Sequence, residues 1–171
     1  GPKDLIEVAM TISSIMIYLG RKASSIEEAR ELAQSQINNG EAYEKFRKWI
    51  SSQCGDISSI DNINEYKKAN YIEAFVADKD GYVESMNAQE IGRIAMMIGA
   101  GRETKESVID PSVGLILRKK VSDEVKVGDV ICEIHHNGYE NIQLIFNKLR
   151  ENIKISKECK TKGKLIYKII K

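Results

Sequence analysis

The sequence predicts an α/β protein in two parts: helices over residues 1–66, then a compact α+β domain over residues 67–171. Three observations carry that prediction. Apolar residues recur at helical spacing through the first fifty positions. A polar, turn-rich stretch, Asp56-Ile57-Ser58-Ser59-Ile60-Asp61-Asn62, then interrupts the pattern and leads into a charged segment ending at Lys68. From Tyr71 onward, short β segments bounded by turn residues replace the long periodic runs. The domain boundary therefore falls at 62–69. At 171 residues and 19.3 kDa the chain has room for one or two small domains.

The first helix spans residues 4–20. Leu5, Ile6, Ala9, Met10, Ile12, Ile15, Met16 and Leu19 give it a wide apolar face that needs a partner. Pro2 and Asp4 suit its start and Gly20 its stop. The second helix opens on Ser25-Ile26-Glu27-Glu28, a capping box in which hydroxyl and carboxylate satisfy each other's orphan backbone donors. It ends at Asn39-Gly40, residues suited to a left-handed cap. A third helix, 41–53, places Ala42, Phe46, Trp49 and Ile50 on one face, and the i, i+3 pair Phe46 and Trp49 reads as core. Gly55 stops it.

In the second part, Tyr71-Ile72-Glu73-Ala74-Phe75-Val76 reads as a strand. Asp78-Lys79-Asp80-Gly81 follows as a turn, and Tyr82-Val83-Glu84 as the strand's hairpin partner. Asn87 caps a helix that buries Ile91, Ile94, Ala95 and Ile98. The polar loop from Gly99 through Gly101 and Arg102 to Ser107 leads to two β segments, 113–117 and 130–134. Between them, Val125-Lys126-Val127-Gly128-Asp129 turns tightly and should bury its valines between two sheets. An amphipathic helix carrying Ile142, Ile145, Phe146 and Leu149 spans 139–152, and residues 165–170 read as a closing strand.

Composition excludes several classes. Lys and Arg total 26 against 25 Asp and Glu, a net charge of +1, too small an excess for a generic nucleic-acid surface. A hydrophobic fraction of 42% with 30% charged residues is that of a globular chain, not a disordered tail. The longest apolar runs are a few residues, far short of a membrane span, and no basic-then-apolar leader is present. Cys54, Cys132 and Cys159 form neither a metal-ligand pair nor a disulfide framework, which fits a reducing cytoplasm. The chain begins Gly1-Pro2 rather than with methionine, as a piece of a longer protein or a trimmed tag would.

Residues 81–137 carry a family resemblance. Asp80-Gly81-Tyr82-Val83, Ile98-Gly99-Ala100-Gly101-Arg102, Ser107-Val108-Ile109-Asp110, Val113-Gly114-Leu115 and Val125-Lys126-Val127-Gly128-Asp129 with Ile134-His135 occur in that order. Together they resemble the C-terminal domain of the pyrimidine-nucleoside and thymidine phosphorylases. Gly1-Pro2-Lys3-Asp4-Leu5, Tyr18-Leu19, Glu28-Ala29-Arg30, Asn39-Gly40 and Gly55-Asp56 are similar to the helices that precede that domain. The resemblance runs over about residues 1–150 and implies a domain assignment. Residues 1–66 would be the last helices of a nucleoside phosphorylase α/β domain whose sheet is absent, and 67–171 the C-terminal domain with a hammerhead-like set of strands.

It also implies a homodimeric cytoplasmic enzyme of nucleoside salvage. In such an enzyme phosphate, as co-substrate, attacks C1′ of a pyrimidine nucleoside and releases the base and a pentose 1-phosphate. Some members bind a monovalent cation. The family's Lys-x-Ser-x-Gly-Gly-x-Gly-Asp-Lys phosphate loop and the Arg, Ser and Lys that hold the base have no counterpart in these residues. No catalytic, substrate-binding or metal-binding residue is therefore assigned to this segment, and the segment alone should be inactive. Its implied partners are the missing N-terminal part of the same enzyme and a second copy, with no nucleic acid and no membrane. The other class of function open to it is a stand-alone binding or scaffold module of hammerhead type, without enzymatic activity.

Local signals weigh differently. Gly99, Gly101, Arg102, Thr104 and Lys105 form a permissive polar loop. The family resemblance implies that it lies toward the cleft between domains, a candidate lid, against the plainer reading of a helix cap and surface connection. A biotinyl or lipoyl carrier would need an exposed lysine at a hairpin tip after the Gly-Asp strand, where this chain has Glu133-Ile134-His135-His136-Asn137. His135 and His136 point to opposite faces of a strand, so they read as structural rather than as a metal pair. Cys54 has no local partner that would activate it. The lysines at 154, 157, 160, 162, 164, 168 and 171 read as a solvated terminal helix and edge strand, with no aromatic platform for RNA.

Overall fold

The computed structural model describes residues 1–62, 64 and 66–170. Residues 63 and 65 of the expected boundary stretch, and Lys171 of the lysine-rich tail, lie outside the described residues. The chain divides into two compact units, residues 1–65 with 163–171 and residues 66–162. The mixed α+β class is as expected, but the last nine residues group with the helices rather than with the sheets.

The first unit holds helices α1 (Lys3–Leu19), α2 (Ile26–Asn38), α3 (Glu41–Ser52) and the single turn α4 (Ser58–Asp61). The Gly20 N–H closes α1 on the Met16 carbonyl at 2.9 Å. At the start of α2 the Ser25 hydroxyl accepts the Glu28 N–H at 3.1 Å. The Glu28 carboxylate reaches back to the N–H of Ser24 at 2.7 Å instead of Ser25, so the box closes one residue earlier than the motif suggests. Gly40, at φ 85°, carries the chain from α2 into α3.

Helices α1 and α2 meet through small side chains. Met10, Ser14, Ala29 and Ala33 are this unit's buried residues among those described. Ser14 satisfies its hydroxyl on the Met10 carbonyl at 2.6 Å, and Arg30 pairs with Glu7 at 2.6 Å above the contact. Helix α3 buries nothing, which overturns the expectation that Phe46 and Trp49 are core. Their rings touch each other at 5.9 Å between centroids, yet Trp49 stays 56% exposed. Burial of such large rings needs a second packed layer, and the described residues of this unit present none to that face.

The second unit contains β1 (Tyr71–Val76), β2 (Gly81–Met86), α5 (Ala88–Ala95), β3 (Gly114–Leu117), β4 (Glu124–Val125), β5 (Val130–His136), α6 (Ile142–Asn152) and β6 (Ile153–Ser156). They form two antiparallel three-stranded sheets, in orders β1-β5-β3 and β4-β2-β6. Asn87 and Asn141 cap α5 and α6 through their side-chain oxygens. One core joins both sheets and both helices: Val83, Val125, Ile131 and Ile134 from the strands, Ile94, Ile145 and Leu149 from the helices.

Three strand expectations are corrected. Residues 71–76 and 82–84 are not a hairpin: β1 pairs with β5, whereas β2 pairs with β4 and β6 in the other sheet. Ala77 explains the crossing, because it exchanges backbone bonds with the Gly128–Asp129 turn, giving its N–H to Asp129 and accepting from Gly128, both at 2.9 Å. That leaves Asp78-Lys79-Asp80-Gly81 to carry the chain into the second sheet. The valines of the 125–129 turn separate for the same reason: Val125 is buried and Val127 is exposed, its N–H held by Asp80 at 2.8 Å.

The strand that completes the second sheet is β6, not 165–170. It leaves α6 directly and alternates Ile153 and Ile155 toward the core. The lysine-rich tail accordingly contains an edge strand but no helix among the described residues. Its middle part is tied to the same unit by Lys160–Glu84 at 2.8 Å and Lys162–Asp123 at 3.3 Å.

Gly81 is the tightest point of the crossing. A Cβ there would stand 2.3 Å from the Ser156 carbonyl oxygen of β6. Gly81→Ala must push β2 and β6 apart, and we expect it to destabilise the 66–162 unit by about 2 kcal/mol. Urea unfolding followed on the Val83 and Ile134 methyl signals measures this; an unchanged midpoint would contradict the close approach.

Candidate functional site

The loop after α5 is the candidate, and its shape follows from where the helix runs out. Beyond Ala95 the helix widens into one turn over Met96–Ala100 that ends on Gly99, at φ 103°, a conformation that favours glycine. Ile98 of this turn is buried in the core, so the loop leaves from a fixed point. Gly101 packs its backbone against Met96, where an added Cβ would lie 3.3 Å from the Met96 side chain. The Asp110 N–H returns to the Gly99 carbonyl at 3.0 Å and closes the loop at its neck.

Within the loop, Thr104 and Ser107 bond reciprocally: the Thr104 N–H to the Ser107 hydroxyl at 3.0 Å, the Ser107 N–H to the Thr104 carbonyl at 3.2 Å. Arg102, Thr104 and Lys105 are all exposed. Among the described residues neither Arg102 nor Lys105 has an ion-pair partner, so the tip presents two free cations. Val108 beside them is 89% exposed. The five predicted residues therefore separate by role. Gly99 and Gly101 shape the neck, Thr104 organises the tip, and Arg102 and Lys105 face solvent, available to an anion or to an opposing surface.

Sequence reasoning missed the residues that anchor this loop. Asp110 accepts from the Ser112 N–H at 3.0 Å and from its hydroxyl at 2.6 Å. The Asn137 side-chain amide donates to Asp110 at 2.7 Å and to the Ser112 hydroxyl at 2.9 Å, while its oxygen accepts the Asn70 N–H at 2.7 Å. This network fastens the loop to the end of β5 and the start of β1. The Asp110-Pro111-Ser112 triplet is a local turn signal that could have found half of it. These bonds, from Ser112 first and then from Asn137, hold the Asp110 carboxyl down to about 2, below its ordinary 3.8.

The other sequence candidates fall elsewhere. His136 is buried, stacks on Tyr71 at 5.3 Å, and accepts the N–H groups of Gly138 and Tyr139 on Nδ1 at 3.3 and 3.1 Å. Its Nε2 has no protein partner. His135, on the opposite face, lies 3.5 Å from Glu133, which Arg118 grips through two bonds of 2.8 Å. Among the described residues no group of three or more His, Cys, Asp or Glu side chains is placed to hold a metal ion. Cys132 is buried, and burial pushes its thiol up to about 12, away from reactivity. No helix among the described residues is long and apolar enough to cross a membrane.

Comparison with known proteins fits this geometry. Residues 82–156, which run from β2 to the end of β6, match the model of the pyrimidine nucleoside phosphorylase C-terminal domain. The pyrimidine-nucleoside phosphorylase of Staphylococcus haemolyticus is 44% identical over 170 residues, 99% of this chain. Over residues 82–156 the chain carries the C-terminal domain of the pyrimidine nucleoside phosphorylases. The enzyme of the same name from Geobacillus stearothermophilus is 42% identical over 167 residues, 98% of this chain, and that of Staphylococcus aureus USA300 41% over 170, or 99%. The match covers 39%, 38% and 39% of those relatives, so the chain spans about two fifths of their length. The candidate loop and its side-chain anchors Asp110, Ser112 and Asn137 lie inside the matched residues.

The depressed Asp110 carboxyl sets a pH dependence for the loop. Its contribution is fully present above the ordinary carboxyl value of 3.8 and is lost as pH falls toward about 2. The Ser112 amide and Asn137 side-chain amide resonances should titrate together with a midpoint near the lower value, and Asp110→Asn should abolish the transition. A midpoint at 3.8 would mean that the network does not hold the carboxylate.

Proposed function

We propose that this chain is the C-terminal portion of a pyrimidine-nucleoside phosphorylase, and that the whole protein catalyses phosphate-dependent cleavage of pyrimidine nucleosides. The observation that carries this reading is the pairing of coverages: the match takes 99% of the chain at 44% identity but 39% of the relative. The reaction is a pentosyl transfer. Phosphate attacks C1′, the bond to the pyrimidine nitrogen breaks, and the electron pair leaves with the base. Its transition state has oxocarbenium character on the sugar and growing negative charge on the base, which calls for fixed cations and hydrogen-bond donors at both ends. The Gly-rich lysine loop and the base-holding residues expected for that task are not among these 171 residues. The chain's own contribution is then the scaffold of the cleft, with the loop from Gly99 to Asp110 as the part that meets it.

In this reading Arg102 and Lys105 act from a closing loop. Their free cations suit an anionic substrate or the electronegative rim of a cleft, and the neck fixed by Gly99, Asp110 and Asn137 limits where the tip can travel. Phosphate enters as co-substrate, a monovalent cation would bind outside this segment, and the complete enzyme works as a cytoplasmic homodimer.

Two assays test the reading. The chain alone, given uridine or thymidine with phosphate, should release no uracil or thymine, and robust turnover would overturn the division of labour described. In a complete enzyme built with these residues, Arg102→Ala should raise KM for phosphate or nucleoside or lower kcat; unchanged values of all three would remove the loop from the reaction.

A further inference from the structure

Residues 165–170, Leu-Ile-Tyr-Lys-Ile-Ile, have the composition of a strand but occupy no sheet. Five of the six are apolar or aromatic, three are isoleucine, and neither glycine nor proline interrupts them. The run does not alternate: Leu165, Tyr167 and Ile169 would line one face and Ile166 and Ile170 the other. A strand apolar on both faces belongs inside a sheet covered by helices on both sides. In the structure Tyr167 and Ile170 are almost fully exposed, and Leu165 and Ile169 about half. Ile169 and Ile170 sit in a groove with Ile15, Tyr18, Leu19 and Ile26 that leaves about 550 Å³ open, so the segment is not packed as a protein interior is.

Helix α1 shows the complementary lack. Leu5, Ala9, Ile12, Met16 and Leu19 follow one another at intervals of four, three, four and three, and all are exposed. This is an unbroken apolar seam on the side of α1 away from Met10 and Ser14, the residues that meet α2. One missing element answers both observations: a sheet that the seam covers and the segment joins.

The comparisons agree on what lies where. The alignment to the Staphylococcus haemolyticus relative takes 170 of the 171 residues and so includes 165–170, while the C-terminal domain model stops at residue 156. The segment is thus shared with the relatives yet falls outside the domain model, and it groups with the helical unit. About three fifths of each relative lies outside the match, enough chain to supply a sheet.

We propose that residues 165–170 form a β-strand in the complete protein. The strand adds to the edge of a helix-covered sheet contributed by the part of the protein that the relatives carry beyond this match, and α1 covers that same sheet with its exposed seam. The bonds would run from the segment's backbone to an open sheet edge, with side chains entering the layers on both faces. Lys160, Lys162 and Lys164, at every second position before the run, would discourage its wrong pairing when that edge is absent. The inference rests on the reading of the chain as part of a larger phosphorylase.

The test joins the portion of the Staphylococcus haemolyticus enzyme outside the match ahead of Gly1 and follows amide hydrogen exchange at 165–170 together with uridine phosphorolysis. The expected result is an active chimera in which these amides exchange on the order of 100-fold more slowly than in the chain alone. Ile166→Pro should reverse that protection without altering the β5 amides. An active chimera whose 165–170 amides exchange as fast as in the chain alone overturns the strand and leaves the functional reading intact. An inactive chimera with those amides protected supports the strand and counts against the functional reading. Protection in the chain alone that grows with concentration would identify a second copy as the partner and overturn the proposal. If the chimera aggregates, the aligned segment of the intact relative is measured instead, and free exchange there overturns it equally.

Discussion

The second unit depends on the backbone exchange between Ala77 and the Gly128–Asp129 turn. Those two bonds, both 2.9 Å, hold the points at which the chain leaves one sheet and enters the other. Because Ala77 is tied to the start of β5, the residues after it cannot fold back along β1. Asp78, Lys79 and Asp80 therefore deliver Gly81 to the second sheet, against β6. The same tie delivers Val125 to β2 on one side and Ile131 to β1 and β3 on the other. Each strand contributes one apolar face, and the two faces enclose Val83, Val125, Ile131 and Ile134 with the inner sides of α5 and α6. The candidate loop inherits its position from that core: Ile98 is the last residue held before the neck, and Asn137, just past β5, is the clasp at the other end.

The first unit has no comparable centre. Its buried side chains among the described residues are a methionine, a serine and two alanines, where the second unit buries thirteen apolar residues. At about 25 cal/mol per Å² of apolar surface removed from water, a contact made of alanines contributes far less than one made of isoleucines and leucines. What the unit exposes is as informative as what it buries: a seam along α1, an aromatic pair on α3 and an unpaired β-like segment. These are apolar surfaces patterned for burial, and their pattern is that of helices and a strand around a shared sheet.

Local features were readable because they are set by neighbours in sequence. Helical spacing located α1 to α3, and Ser25, Asn87 and Gly40 marked ends through chemistry that acts within one turn. Pairing was not readable. β-favouring residues bounded by turn residues say that Tyr71–Val76 and Tyr82–Glu84 are strands, but the turn between them fits a hairpin and a crossover equally well. The bond that decides comes from Asp129, more than fifty residues away. Phe46 and Trp49 failed for a related reason, since an amphipathic face shows what a helix needs and not whether it is supplied. In the site, the paired glycines exposed the loop, whereas Asn137 was invisible because its partners Asp110 and Ser112 lie 27 and 25 positions earlier. The domain family was legible through the order of its motifs, which periodicity alone could not provide.

The 66–162 unit closes a core of its own, whereas the helical unit exposes apolar faces that, in the proposal above, pack on a sheet from the rest of the protein. The chain's single tryptophan, Trp49, reports on the helical unit, and the Ile134 and Ile145 methyl groups report on the core of the other. Urea unfolding followed by both probes on the same sample tests the claim directly. The account predicts separate transitions, with the Trp49 signal changing first and over a shallower range than the cooperative loss of the methyl signals. Coincident, equally steep transitions would contradict it.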